Sequence, residues 1–177
     1  MTARAEAAER TRRRILAAAT ELASERFLDE ISLEDIAERA GVAVRTVIRR
    51  FGNRATLVKA AIDEANAQVS SRRDETLPDD IAGAVDALFD DYERWGDALL
   101  MVLAQEHRHT ELKPLLDDGR QMHRRWVKRV FRPRDELQVA QLVAVTDVYV
   151  WKLLRRDMKL SRTRATLALQ TMIERLV

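Results

Sequence analysis

Basic side chains gather in one short segment of the chain that has no acidic residue. Residues 44–59 contain five arginines or lysines and no aspartate or glutamate. An arginine guanidinium can fork onto guanine O6 and N7 in the major groove or pair with a phosphate, and a threonine hydroxyl can bond a phosphate. These residue types indicate contact with nucleic acid, and the candidates are Arg45, Thr46, Arg49, Arg50 and Arg54.

Two short helices joined by a glycine are predicted to hold these side chains. Ser32 and Asp35 resemble a capping box and begin a helix that ends at Gly41, where a sharp turn can require a positive φ. The second helix is predicted at residues 44–51, and a longer helix at 11–26 precedes both. Because the second helix is too short to be stable alone, it must pack on the other two. The three together match a helix-turn-helix.

Residues 15–61 contain a set of short motifs and single residues that can be compared with known families. They are Ile-Leu-Ala-Ala-Ala at 15–19, Ile-Ala-x-x-Ala-Gly-Val at 36–42, Thr46, Phe51, and Asn-Arg-x-x-Leu at 53–57. As a set they resemble the DNA-binding region of the tetracycline-repressor (TetR/AcrR) family. Val47 and Phe51 are expected to lie in the core.

This resemblance implies an all-helical homodimer with two DNA-binding heads and a small-molecule pocket in each body. Most members of the family repress transcription until an effector binds. The partner would be a palindromic double-stranded DNA operator, and Val44, Arg45, Thr46, Arg49 and Arg50 would lie on the recognition helix. Arg54 stands where the family usually has a phosphate-binding lysine. Ile48 replaces a common tyrosine that often contacts phosphate, so that contact is lost or moved.

The remainder of the chain predicts a helical body and a subunit interface. Overall we expect an all-α protein of about nine helices, with a DNA-binding domain at 1–58 and a ligand-binding and dimerisation domain at 59–177. The helix predicted at 136–157 is apolar around most of its circumference, which requires burial on more than one side. We expect the second side to be another subunit. The predicted interface comprises Leu142, Val145, Tyr149, Trp151, Leu154, Leu169, Met172 and Ile173.

Aromatic and methionine residues of the body predict an effector pocket between its helices. Ligand pockets are mostly apolar with few polar groups, which favours a small apolar or aromatic effector. The predicted lining residues are Phe89, Tyr92, Trp95, Met101, Met122, Trp126 and Tyr149.

The sequence lacks the residues that several other classes of function require. No cysteine is present, which excludes disulfides and thiolate zinc sites, and His107 and His109 would face different sides of a helix, so we expect no metal site. No phosphate loop, nucleophile elbow or catalytic triad is found, so we expect neither an enzyme nor a cofactor. The polar start has no apolar signal region, and the longest apolar run, at 98–104, is too short to cross a membrane. We therefore expect a cytoplasmic protein.

Two alternatives remain open from the sequence. A helical protein-interaction module would use the basic helix to bind an acidic partner, and a DNA-binding regulator need not respond to an effector. Steep salt dependence would accompany both DNA and protein binding, whereas DNA sequence preference would accompany only the first.

Overall fold

The computed structural model describes residues 3–177, and within that range every regular element is a helix. The predicted all-α class is confirmed. In chain order the helices are α1 (Ala3–Glu25), α2 (Leu33–Ala40), α3 (Val44–Phe51), α4 (Arg54–Asp74), α5 (Ile81–Leu103), α6 (Lys113–Phe131), α7 (Glu136–Val145), α8 (Val148–Lys152) and α9 (Arg162–Glu174). Short 3-10 turns lie at Leu28–Glu30 and Thr110–Leu112, and a π turn at Leu153–Asp157 continues α8.

The α2–α3 turn forms as the local sequence predicts. The Asp35 amide donates to Ser32 Oγ at 3.0 Å, and the Ser32 amide donates to Asp35 Oδ2 at 2.9 Å, which completes the capping box. Gly41 ends α2 with φ +62°. A Cβ at that position would lie 2.9 Å from Nη2 of Arg14, which itself donates to the Gly41 carbonyl. Glycine therefore satisfies both the backbone conformation and the close approach of α1.

The core of the head continues into the body. Ile15, Leu22 and Val47 are almost completely buried in a cluster that also contains Val102 of α5 and Leu116 of α6. These apolar side chains of the first three helices, α5 and α6 therefore share one interior.

A second core lies between α5, α6, α7, α8 and α9. Phe89, Leu142 and Trp151 are buried there, and Gly96 lies under the Trp151 ring. A Cβ on Gly96 would come within 2.6 Å of that ring, so the glycine allows α5 and α8 to approach closely.

The predicted first helix and the predicted apolar helix differ in extent from the helices of the structure. The first helix begins at Ala3 rather than near residue 11, and ion pairs of Glu9 with Arg12 and Arg13 lie along its added turns. The helix predicted at 136–157 is interrupted at Thr146, because Asp147 leaves the helical conformation and its side chain accepts from the Tyr149 amide at 2.9 Å. An aspartate that bonds nearby backbone in this way favours a helix start over a helix interior.

Residues 136–157 are also the one segment, within the described part of the chain, that is long and apolar enough to cross a membrane. Its mean hydropathy is 1.2, and 39% of the window is buried in the fold. Core helices of soluble proteins meet the same criterion, and the break at Asp147 divides the segment. It does not indicate a membrane protein.

Candidate nucleic-acid interface and effector cavity

The recognition helix α3 has one buried face and one basic face. Val47 and Phe51 pack into the core, as predicted. Because successive residues of an α-helix turn by about 100°, Arg45, Ile48 and Arg49 lie on the opposite side, and all three are exposed. The outward face of α3 therefore presents two guanidinium groups with an apolar side chain beside them.

Arg45 and Arg49 are both exposed and have no partner within the described residues. Within residues 3–177 neither side chain forms a hydrogen bond or a salt bridge. By contrast, Arg39 of α2 pairs with Glu21 and Glu25 of α1. The two exposed guanidinium groups of α3 thus keep all their donors for a molecule outside the chain.

The other residues predicted to contact DNA are half-buried or already bonded within the chain. Val44, Thr46 and Arg50 are half-buried at the edges of the basic face, and Arg50 Nε is buried without a partner in the described residues. Arg54 Nη1 donates to the Leu28 carbonyl at 2.8 Å, and its Nη2 lies 3.3 Å from an Asp29 carboxylate oxygen. These bonds attach the start of α4 to the turn that follows α1.

A cavity of about 290 Å³ separates α4 from the helices packed on it. Of the predicted lining residues, Tyr92, Trp95, Met122 and Tyr149 border this space. The predicted lining residues that do not border it are Phe89, Met101 and Trp126. Phe89 and Trp126 are instead packed in the second core, because a helical pattern shows which residues are apolar but not which neighbour they face.

Sequence analysis missed the head-side wall and the polar end of the cavity. Ala23, Leu28 and Ile31 border it from the head, and Arg73 and Asp91 border it at the far end of α4. The Arg-Arg pair at 72–73 was the sequence signal for the polar end, since two guanidinium groups that precede an acidic stretch can form ion pairs with it in the interior.

A buried polar cluster forms that far end. Arg73 Nε donates to Asp91 Oδ2 at 2.8 Å, and Arg73 Nη1 lies 2.8 Å from His123 Nδ1. His123 Nε2 lies 2.9 Å from Thr146 Oγ1, and the Tyr92 hydroxyl donates to the Thr146 carbonyl at 3.0 Å. The cluster therefore ties α4, α5 and α6 to the break between α7 and α8.

Protonation in this cluster follows from burial. Burial, followed by the charge of Arg73, lowers the pKa of His123 to about 3. A guanidinium can only donate, so Nδ1 of the neutral imidazole accepts and Nε2–H donates to Thr146. Burial likewise raises the pKa of Tyr92 to about 12 and holds the pKa of Asp91 above its ordinary value, although two guanidinium groups favour its ionised form.

The predicted dimer residues separate into two groups. Five are buried within the chain itself and belong to its second core rather than to its surface: Leu142, Trp151, Leu154, Leu169 and Ile173. Tyr149 and Met172 are exposed and Val145 is half-buried. The second buried side of the apolar segment 136–157 packs on α5 and α9 of the same chain. The sequence pattern cannot distinguish this packing from contact with a second subunit.

Residues 15–61 match the family model described as bacterial regulatory proteins, tetR family. No curated protein sequence matches the chain.

Several solved structures have a similar fold. A tetR-family transcriptional regulator from Streptomyces coelicolor is 19% identical with a TM-score of 0.74, and the match covers 95% of this chain and 79% of that one. A transcriptional regulator from Rhodococcus sp. Rha1 is 19% identical with a TM-score of 0.76, over 93% and 95% of the two chains. The multidrug binding protein EbrR, complexed with imidazole, is 18% identical with a TM-score of 0.58, over 91% and 88%.

These structural likenesses show the fold, and the family model identifies the head that carries the basic helix. The family consists of regulatory proteins rather than enzymes. The basic helix thus lies in a segment that matches bacterial regulatory proteins of the tetR family, and the fold along the chain is similar to that of solved regulators of that family.

Proposed function

We propose that the protein is a sequence-specific DNA-binding transcriptional regulator, a cytoplasmic homodimer that represses until a small molecule binds in its body. The observation that carries the DNA-binding part is the pair of exposed, unpartnered guanidinium groups of Arg45 and Arg49 on α3. Arginine in the major groove forks onto guanine, and each such contact contributes about 1–3 kcal/mol of discrimination against other bases.

Within this proposal the residues of α3 have different roles. Arg45 and Arg49 contact bases or phosphates, and Thr46 at the edge of the same face bonds a phosphate or meets a thymine methyl. Val44 and Arg50 flank them. Arg54 contacts phosphate only by giving up bonds to Leu28 and Asp29, so its contribution is smaller than that of the free arginines.

The proposed domain division is 1–58 for DNA binding and 59–177 for ligand binding and dimerisation. α4 crosses this boundary as one continuous helix from Arg54 to Asp74. A ligand beside α4 would therefore change the position of the head. Ligand and DNA would weaken each other's binding to the extent that each prefers a different position of the head.

The outward face of α7 supports the dimer. Leu137, Ala140, Gln141 and Ala144 recur at helical spacing, and all are exposed and uncharged. Leu137 alone keeps 69% of its surface accessible. An exposed face without charge suits a two-fold interface, which would hold the two heads at a fixed separation and give a palindromic operator.

The effector part of the proposal rests on the cavity. Its walls are mainly apolar, and it lies against α4, the helix that joins body to head. The EbrR structure, described as a multidrug binding protein with imidazole, has a similar fold and supports a small apolar or aromatic effector for this chain.

The test of DNA binding is a selection of random duplexes by the purified protein, read by sequencing, followed by affinity measurements on the recovered site. We expect an inverted repeat whose half-sites lie about ten base pairs apart, or a multiple of that. Arg45→Ala and Arg49→Ala should each weaken binding about tenfold or more. A lost phosphate contact should also reduce the salt dependence by about one counterion.

The matched control is Arg162→Ala. It removes the same charge from an exposed arginine of the body, which pairs with Asp90 and donates to the Asp86 carbonyl on the surface. Its DNA affinity should equal that of the wild type. Equal losses in all three variants would show that only net charge matters, and unchanged affinity in the α3 variants would refute the assignment of that helix to DNA.

A further inference from the structure

The cavity follows the length of one helix rather than being confined to the body. Along α4 its lining residues recur every three or four positions, so they form a single face of the helix: Arg54, Val58, Ile62, Ala65, Val69 and Arg73. Arg54 and Arg73 are nineteen residues apart, and at a rise of 1.5 Å per residue this is about 28 Å. The cavity is therefore elongated, with one end at the head and the other in the body.

The head end of the cavity is apolar. Ala23 of α1, Leu28 and Ile31 of the following turn, and Val58 of α4 form its walls. Leu28 and Ile31 are also part of the core that holds the head together. A molecule that filled this end would gain from burial of apolar surface and would contact the head directly.

The body end is polar but electrically balanced. Arg72 and Arg73 both bond Asp91, and Asp147 also lines the cavity. With His123 neutral, two positive groups stand against two negative ones, and Arg120, which lines the cavity as well, is paired with Glu106 and Asp117. A charged ligand group would bury an additional unpaired charge, which costs far more than burial of a neutral polar group.

Trp95 and Asn66 line the cavity near this end, and within residues 3–177 their side chains have no hydrogen-bond partner. Trp95 Nε1 is buried without an acceptor, and the Asn66 side chain forms no hydrogen bond with residues 3–177. Trp95 lies one helical turn from Asp91, and Asn66 lies two turns from Arg73, so both are near the polar end. A buried indole N–H without an acceptor costs about 1–3 kcal/mol, which a ligand acceptor would relieve.

We propose that the cavity binds an elongated, uncharged amphiphile. Its unbranched apolar chain extends along α4 towards Leu28 and Ile31, and a terminal hydrogen-bond acceptor, such as an ester or amide carbonyl, meets Trp95 Nε1 and Asn66. This inference deepens the proposed effector function and rests on it for any effect on DNA, but ligand binding itself is measured without DNA.

The test is isothermal titration of the full-length protein, without DNA, with three probes. Methyl decanoate supplies the chain and a neutral carbonyl, decanoate replaces the ester by a carboxylate, and methyl hexanoate shortens the chain by four methylenes. We expect one methyl decanoate per cavity. Each lost methylene should weaken binding about fourfold, so methyl hexanoate should bind on the order of a hundredfold more weakly. Decanoate should bind at least about tenfold more weakly than the ester.

Three results would overturn the proposal. They are no binding of methyl decanoate, tighter or equal binding of decanoate, and equal binding of the short and long esters. Tighter binding of decanoate would assign the polar end to an anion instead.

Two variants locate the site. In Gly119→Leu the new side chain points towards Asn66, whose Oδ1 would lie 3.8 Å from the added Cβ, so it fills the cavity without a clash at the backbone. Methyl decanoate binding should be lost, while Gln121→Leu, on the exposed side of the same helix, should bind as the wild type does. Thermal melts establish that both variants fold. If Gly119→Leu folds and still binds the ester, the ligand lies elsewhere.

Trp95→Phe keeps the aromatic ring and removes the indole N–H. We expect it to weaken methyl decanoate about two- to tenfold, the worth of one hydrogen bond, while the chain-length dependence is kept. Unchanged affinity would remove Trp95 from the site.

Failure of this inference and failure of the DNA-binding function give different results. Arg49→Ala should lose DNA affinity and bind methyl decanoate normally, and Gln121→Leu should bind both DNA and the ester normally. Ester binding without any selected DNA motif would refute only the proposed regulation, whereas a DNA motif without ester binding would refute only the ligand class.

Discussion

His123 makes the stability of the protein sensitive to mild acid. Its pKa is lowered to about 3 in the folded chain, against an ordinary value of 6.5. Between these values the unfolded chain binds a proton that the folded chain does not. The stabilising contribution of the neutral imidazole is therefore complete above about pH 6.5 and is lost as the pH falls.

The size of the loss follows from the same two values. At about pH 5 the solution is 1.5 pH units below the ordinary pKa, and each unit corresponds to about 1.4 kcal/mol, so unfolding should become easier by about 2 kcal/mol relative to neutral pH. The cause is the fixed geometry around the ring. Nδ1 faces a guanidinium donor of Arg73 at 2.8 Å, and a proton on Nδ1 would place two donors against each other.

Urea denaturation at about pH 7 and pH 5 measures this effect in the wild type and in His123→Gln. The variant should be less stable at neutral pH because it disturbs the buried cluster, but its stability should change about 2 kcal/mol less between the two pH values. The comparison cancels the contribution of carboxyl groups common to both proteins. His107→Gln, at an exposed position, should keep the pH dependence of the wild type.

An equal pH dependence in the wild type and His123→Gln would refute this reasoning. It would mean that the imidazole binds its proton equally well in the folded and unfolded chains, and that water or a carboxylate solvates the ring in the folded state.

Other predictions concern packing, the buried ion pair and the subunit interface. Asp91→Ala should destabilise the fold by about 3–5 kcal/mol in urea denaturation, because it leaves a buried guanidinium unpaired; a loss below about 1 kcal/mol would show that water replaces the carboxylate. Gly96→Ala should cost about 1–3 kcal/mol, since the added methyl group meets the Trp151 ring, and an unchanged midpoint would mean that the ring moves freely. Leu137→Glu should give a monomer in light scattering, whereas Leu77→Glu, which is as exposed but lies outside the helices, should not; a dimer in both would move the interface away from α7.

Local sequence determined the head of this protein in detail. The capping box at Ser32, the positive φ at Gly41 and the burial of Val47 and Phe51 all involve residues within a few turns of one another. Caps, turns and helical periodicity act over such short distances, so their residue types carry the information. The outward position of Arg45 and Arg49 then follows, because the opposite face of the same short helix must be buried.

Only the tertiary structure decided the partners of residues far apart in the chain. Arg54, which is expected to contact phosphate, bonds Leu28 and Asp29 in the folded chain, and Arg73 pairs with Asp91 in the interior. The neighbours of the apolar segment 136–157 were likewise decided by tertiary packing. Periodicity identifies which faces of a helix must be buried, but the neighbour that covers each face, whether another helix, a cavity or a second subunit, depends on packing between elements distant in sequence.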